Sequence, residues 1–380
     1  MYGAGRPRPI HNPLSLNEMK KFTLGARLLG TAIAMSAFTS CGLINEDLPE
    51  CRQGVVLQFV YDHNMEYADA FYSQVDCLTV LVYDGSGNYV TTRTETSEAL
   101  RDRDYRMTID LPLGDYQFVA YGGMECSDAS FHFVDTPAPG TLMTSNRVAL
   151  DSDMLTAPLG TELHPLYYGR SCAITYDEQG LPKTEPAVVT VKDIAAYEPV
   201  VVNMQRDTNN VRIVLQQVNG EPMSDEWFDY SITDDNTLMA WNNDVLATST
   251  TKYNPWVRGD ISLGELPDTR ADEPKDAEAC FAEFSLPRLT ETVYRDGKIE
   301  RNNPNLKITR RSDGEAIVDI PLLNYLLATK SEALKMGRQE FLDRNHEYAL
   351  YFFLDRNLSW LYVQIRVNNW TVRINNIKDF

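Results

Sequence analysis

Apolar and polar positions alternate with a period of two along much of the chain. Val55, Leu57, Phe59 and Tyr61 interleave with Val56, Gln58 and Val60, and Met107, Ile109 and Leu111 interleave with Arg106, Thr108 and Asp110. Successive side chains on a strand point to opposite faces, so each stretch reads as a strand. Cys77–Tyr83 and Tyr89-Val90 are two more, joined by Asp84-Gly85-Ser86-Gly87-Asn88, a glycine-rich hairpin turn. Pro112-Leu113-Gly114-Asp115 makes a turn ahead of a strand over Tyr116–Tyr121.

The second half continues in the same way. Val211, Ile213 and Leu215 form one face of a strand, as do Tyr348, Leu350, Phe352 and Leu354. Leu361, Val363, Ile365 and Val367 follow, then Trp370, Val372 and Ile374. A short helix is predicted over Met65–Ser73 and a helical turn over Pro321–Leu327, while the acidic Leu266–Ala279 reads as a loop. Many short strands with regular turn signals predict an all-β chain of β-sandwich type. At 380 residues the chain has room for two domains. Ala195–Pro199 is the candidate boundary, which gives domains 41–197 and 198–380 behind an N-terminal segment 1–40.

That segment reads as an address. Met19-Lys20-Lys21 opens a signal peptide, with residues 1–18 as an upstream extension, and Leu28–Phe38 is its apolar run. The run is too short for a membrane span of about 20 helical residues. It ends in Phe38-Thr39-Ser40-Cys41-Gly42, which is similar to a lipobox, in which the cysteine receives an acyl anchor. Lipid chains hold such a protein on the bilayer by burying methylenes. Cys41 is therefore the expected lipidation site, and the expected location is the outer membrane, displayed at the cell surface.

Composition narrows the partners. The chain has 35 Lys+Arg against 54 Asp+Glu, a formal net charge of -19. Such a surface repels phosphate backbones, so no nucleic-acid partner is expected. Six cysteines occur, none in a C-x-x-C pair. With Cys41 lipidated, five remain, and an odd number cannot all pair internally. One disulfide suits an oxidising compartment, with Cys51 and Cys126 as the candidate pair, but the sequence leaves the connectivity open.

Signatures of chemistry are missing. The chain carries no H-E-x-x-H, Walker loop, G-x-G-x-x-G after a strand or G-x-S-x-G elbow. His11, His63, His132, His164 and His346 are scattered, with no spacing of a local metal site. Asp234-Asp235 is a carboxylate pair of a kind that general acid/base work would need, yet carboxylates are abundant here. Arg258-Gly259-Asp260 is a tripeptide that some integrin ligands carry, and a chance match is the simpler reading. No catalytic residue, cofactor or metal is expected.

Ordered stretches over the chain carry a resemblance. They are Glu46–Cys51, Val55–Asn64, Asp69-Ala70-Phe71, Pro112–Tyr116 leading into Val119–Gly122, and Leu166–Gly169. Asp207–Asn210 leading into Val211-Arg212-Ile213, Ser231–Asn236 and the ending Asn368–Asn376 complete the series. Together they resemble the FimB-type family of fimbrial anchor and accessory subunits of type V pili. The resemblance implies two tandem transthyretin-like β-sandwich domains after a lipoprotein signal peptide. It further implies a lipoprotein that anchors or assembles fimbriae, with pilin subunits as partners and Cys41 at the lipidated position. Pilin-type sandwiches join by strand addition at a sheet edge, and the last strand, Thr371–Phe380, is one candidate for exchange. The simpler reading is that it completes its own sheet. A surface glycan-binding lipoprotein is the alternative reading.

Overall fold

The structure, a computed structural model, describes residues 52–156, 160–176, 182–193, 195–261, 279–330, 334–367 and 370–375. Its local elements follow from short polar devices between apolar strands. Asp84 closes the first hairpin: its Oδ1 accepts the amides of Ser86 and Asn88, while Gly87 at φ +85 donates to the Asp84 carbonyl. Asp and Gly are suited to these places because one bonds its own turn and the other tolerates positive φ. The flanking strands Leu78–Asp84 and Tyr89–Glu95 pair antiparallel.

The first sheet is built round these strands. From one edge its order runs Tyr89–Glu95, Leu78–Asp84, Gly114–Gly122, Tyr167–Tyr176, Tyr197–Arg206, Gly54–Val60 and Met107–Asp110, with two short strands attached off this path. Gly54–Val60 runs parallel to Tyr197–Arg206. The inward residues of six of the seven strands, among them Val55, Leu57, Val80, Phe118, Tyr167, Val202 and Ile109, share one apolar cluster, to which Tyr89–Glu95 adds nothing. Each such side chain contributes about 1.5–3 kcal/mol by leaving water. Leu81, Tyr83, Val119 and Tyr121, on the opposite face of the central strands, join a second cluster.

The predicted helix over Met65–Ser73 is corrected to Phe71–Gln74. The Asn64 side chain bonds the carbonyls of Tyr61 and Ala68 and the amides of Glu66 and Ala68. Tyr67 takes φ 52. Side-chain bonding of this kind diverts the backbone from helix, and only the segment after Asp69, whose Oδ1 accepts from the Phe71 amide, turns.

Asp207 alone separates Tyr197–Arg206 from Thr208–Gln217, where the chain passes to a second sheet. That sheet runs Val257–Ile261, Ala279–Pro287, Thr208–Gln217, Glu347–Leu354, Trp360–Val367 and Trp370–Asn375. A third, of Thr251–Tyr253, Phe228–Asp234, Asn305–Arg310 and Ala316–Pro321, contributes to the same apolar cluster. Val211, Ile213 and Leu215 come from one sheet, and Phe228, Tyr230 and Ile308 from the other. The helix Leu322–Ala328, buried at five of its seven positions, adds to it. The described residues from Arg52 onward form one compact unit.

The last strands depart from strict alternation. Leu361, predicted to share a face with Val363 and Ile365, is exposed. Leu354 pairs with Trp360 and Phe353 with Tyr362, which leaves Leu361 as the extra residue of a bulge. Trp360 packs instead, its ring 5.5 Å from that of Phe352. Most of the predicted Leu266–Ala279 loop lies outside the described residues, and Ala279 begins a strand. Among the described residues no helix is long and apolar enough to cross a membrane.

Candidate functional site

The second sheet ends in two outer strands, Val257–Ile261 and Trp370–Asn375. The latter runs antiparallel to Trp360–Val367 in a continuous register from Val367↔Trp370 to Tyr362↔Asn375. The C-terminal strand therefore completes its own chain's sheet. An outermost strand carries backbone groups on its outer side that a further strand can pair with.

A cleft of about 810 Å³ lies against the third sheet, lined by Ser231, Lys252, Asn254, Arg258, Lys307, Thr309 and Arg311 with Asp229. Four cations thus collect on a chain of net charge -19. Two are tied down locally: Arg258 Nε lies 2.7 Å from Asp225 and Arg311 Nε 2.8 Å from Asp229.

The Arg258-Gly259-Asp260 tripeptide sits in this neighbourhood, within the strand Val257–Ile261 and paired along Ala279–Pro287. Arg258 also donates to the carbonyls of Asp225 and Phe228, and Asp260 accepts the amide of Asp225. These groups hold Ser224–Phe228 against the strand.

Asp234 and Asp235 likewise serve local structure. Asp234 is buried and accepts the Asp235 amide, and burial pushes its carboxyl up to about 7. Asp235 accepts the amides of Thr248 and Ser249 and pairs with Arg295 at 2.6 Å, closing the loop that follows Val245.

A larger buried polar cluster forms where the chain changes sheets. The Asp207 carboxylate is fully buried and accepts from Gln205 and Asn243, each at 3.0 Å. Arg288 grips both oxygens of Asp343 at 2.9 Å and donates to the Asn243 carbonyl. Asn243 holds φ 71 in a tight turn, a conformation Asn tolerates better than most residues. Desolvation raises Asp207 to about 6 despite the Arg288 charge. Sequence reading missed this cluster, whose members are up to 136 residues apart (207 to 343). The available signal was Asp207-Thr208-Asn209, a polar run leading directly into an apolar strand.

The cysteines require one correction. Cys126 is bonded to Cys77, with Cα atoms 5.9 Å apart, and not to Cys51. A cysteine can make only one disulfide, so the expected Cys51–Cys126 pair is excluded, and Cys51 itself lies outside the described residues. Gly123 donates to the Cys77 carbonyl, which draws the loop carrying Cys126 back onto the strand start. Cys280 is buried against the Tyr230 hydroxyl at 3.4 Å, and burial pushes its thiol up to about 12. The expected lipidation site, Cys41, also lies outside the described residues.

The histidines are scattered in sequence but not all isolated in space. His132 bonds Asp151. His346 is buried beside Tyr61, and burial pushes its imidazole down to about 3. His164 Nε2 lies 3.1 Å from Asp76 Oδ1 and 3.5 Å from Cys126 Sγ, and its Nδ1 lies 3.2 Å from Asp128. The separation of 88 positions from Asp76 to His164 left no local spacing to read.

These features define an all-β protein of several packed sheets, with polar clusters that hold its turns and junctions and end strands that terminate its ladders. Its sequence matches the family described as Mfa2, fimbrillin-A associated anchor proteins Mfa1 and Mfa2, over residues 48–376, and the chain belongs to that family. Anchor and accessory fimbrial subunits are the kind of protein its ordered stretches resemble. Over 87% of its length it is similar to the whole of a solved candidate adhesin from Bacteroides thetaiotaomicron, at 43% identity and a TM-score of 0.71. A candidate polysaccharide-binding protein from the same organism is 28% identical with a TM-score of 0.66, over 86% of this chain and 99% of that one. The fimbrial anchor protein Mfa2 from Porphyromonas gingivalis shares the fold at 16% identity and a TM-score of 0.58, over 85% of this chain and 99% of its own. No curated protein matches the chain.

Proposed function

We propose that the protein is an outer-membrane lipoprotein, held through acylated Cys41, that anchors or assembles fimbriae as an accessory subunit. The observation that carries this reading is the family match over residues 48–376. It begins seven residues after Cys41 (41 to 48), so nearly all of the chain beyond the lipobox-like stretch belongs to the fimbrial family. Pilin subunits are the partners, and the outer edge of Trp370–Asn375 is the surface we assign to them, by strand addition. The reading gives the chain no catalytic step.

Two tandem transthyretin-like sandwiches fit the same reading. Each half opens on a strand that pairs in parallel with a later one, Gly54–Val60 with Tyr197–Arg206 and Thr208–Gln217 with Glu347–Leu354. Because Tyr197–Arg206 lies in the first sheet, the division is drawn at Asp207 and not at 197/198.

Deletion of the gene tests the proposal, with fimbriae on cells and in the medium compared by electron microscopy and immunoblot. Release of fimbriae or altered length is expected, and Cys41→Ala should reproduce it while abolishing incorporation of labelled palmitate. Fimbriae that stay attached and unchanged in the deletion strain would sink the reading.

A glycan-binding role is the second reading, supported by the 28% identical candidate polysaccharide-binding protein. The polar cleft at Ser231, Lys252, Lys307 and Thr309 is where it would act. Saccharide binding lost on Lys252→Ala/Lys307→Ala would favour it, and absence of binding across a glycan panel would remove it.

A further inference from the structure

We propose that Asp76, Cys77, Cys126 and His164 form a redox-gated site for a zinc-class divalent cation, closed while Cys77 and Cys126 are joined and open once they are reduced. One ligand atom from each of the four residues lies within 4.8 Å of the other three. The donor set is two sulfurs, one imidazole nitrogen and one carboxylate oxygen, a combination that suits tetrahedral zinc.

The spacing fits a metal at the centre. Bond lengths of about 2.0–2.3 Å give tetrahedral edges of about 3.3–3.8 Å. His164 Nε2 to Asp76 Oδ1 is 3.1 Å, His164 Nε2 to Cys126 Sγ is 3.5 Å, and Cys126 Sγ to Asp76 Oδ1 is 3.9 Å. The other three edges run from Cys77 Sγ and lie within 4.8 Å; the one to Cys126 is a covalent bond in the closed state, and must lengthen by about 1.7 Å from the usual bonded length. Cys126 is the sulfur placed to move, because it lies in the loop after Gly123, next to Glu125 at φ 61, whereas Cys77 is buried at the start of a strand.

Asp128 completes the argument. Its Oδ2 lies 3.2 Å from His164 Nδ1. A carboxylate in that place holds the proton on Nδ1 and leaves the Nε2 lone pair for a metal. Asp76 is exposed, which gives an ion a route in from solvent.

The opening step balances with a phosphine as reductant. Two electrons from the phosphine break the sulfur–sulfur bond, while water supplies the oxygen of the phosphine oxide and the two thiol protons. Metal binding then displaces one proton from each thiol and leaves two thiolates on the cation.

Cobalt(II) titration of the full chain tests the site, before and after anaerobic phosphine reduction. The reduced protein is expected to bind one equivalent, with a thiolate-to-cobalt charge-transfer band and the strong visible bands of tetrahedral cobalt. Zinc should then bleach both. The oxidised protein and Cys77→Ser/Cys126→Ser should give neither band. Asp128→Asn should weaken binding about 10-fold or more through His164. Absence of the band in reduced protein overturns the proposal, as does a band undiminished in the double serine variant, which would place the cobalt on other cysteines. Near-ultraviolet circular dichroism follows the fold in parallel, and unfolding on reduction that zinc does not reverse overturns it too.

Discussion

The buried carboxylate of Asp207 lies 3.7 Å from the guanidinium of Arg288, which already grips both oxygens of Asp343. One cation thus faces two carboxylates at the place where the chain leaves its first sheet for its second. Removing one member of a buried ionic cluster strands the others without compensation, at about 3–5 kcal/mol. Arg288→Met should lower unfolding free energy by about that amount in chemical denaturation. Asp207→Asn with Asp343→Asn should restore part of it, because the stranded charges are then gone. Full stability in the single variant would show that the cluster contributes nothing net.

Asp234 predicts a pH dependence of definite sign. Burial raises its folded pKa from the ordinary 3.8 to about 7. Between those values the folded state binds more protons than the unfolded state, so this group makes stability fall as pH rises from about 4 to 7. The full cost of ionising it is present above about pH 7, roughly 4 kcal/mol at about 1.4 kcal/mol per pKa unit. Asp234→Asn keeps an oxygen for the Asp235 amide and removes the ionisation. Its melting temperature should therefore gain on the wild type as pH rises from 5 to about 7. A constant difference across that range would mean the carboxyl is not desolvated.

His346 acts in the opposite direction. Burial lowers its folded pKa from 6.5 to about 3, with the Arg206 charge adding to the effect, and neither ring nitrogen has a hydrogen-bond partner. The unfolded chain takes up a proton below about pH 6.5 that the folded chain refuses until about pH 3. Stability from this group is complete above 6.5 and falls as pH drops. His346→Phe keeps a ring beside Tyr61 and has no proton to gain. Relative to wild type it should gain about 2 kcal/mol between pH 8 and pH 5, read from denaturant midpoints. Parallel pH profiles for the two proteins would refute this.

These residues show what could be read from sequence and what could not. Val211, Ile213 and Leu215, or Met107, Ile109 and Leu111, declared their buried face because a strand's side chains alternate whatever they pack against. The Asp84–Asn88 hairpin was legible because its bonds close within five residues. Sequence could not show that Cys126 finds Cys77 and not Cys51, that His164 meets Asp76, or that Arg288 meets Asp343. Each of those pairings depends on the order of strands in a sheet, which alternation does not encode. Leu361 failed for a third reason, since one extra residue in a strand reverses the face of what precedes it.

The last strand offers a test that separates folding from assembly. Trp370–Asn375 is outermost in its sheet, and Val372 and Arg373 pair with Ile365 and Gln364. Backbone N–H groups of adjacent residues in such a strand point alternately into the ladder and away from it. Proline at one of these two positions therefore removes a ladder bond, and at the other removes only an outward donor, a site where edge strands tolerate proline. One of Val372→Pro and Arg373→Pro should lower the melting temperature distinctly, and the other should leave it nearly unchanged. If the outer edge receives a pilin strand, the stable variant should still be made and exported at normal levels yet fail to retain fimbriae on the cell. Normal retention by that variant would move the pilin contact off this edge. The opposite outer strand, Val257–Ile261, would then be the next to test, because it ends the same sheet on its other side.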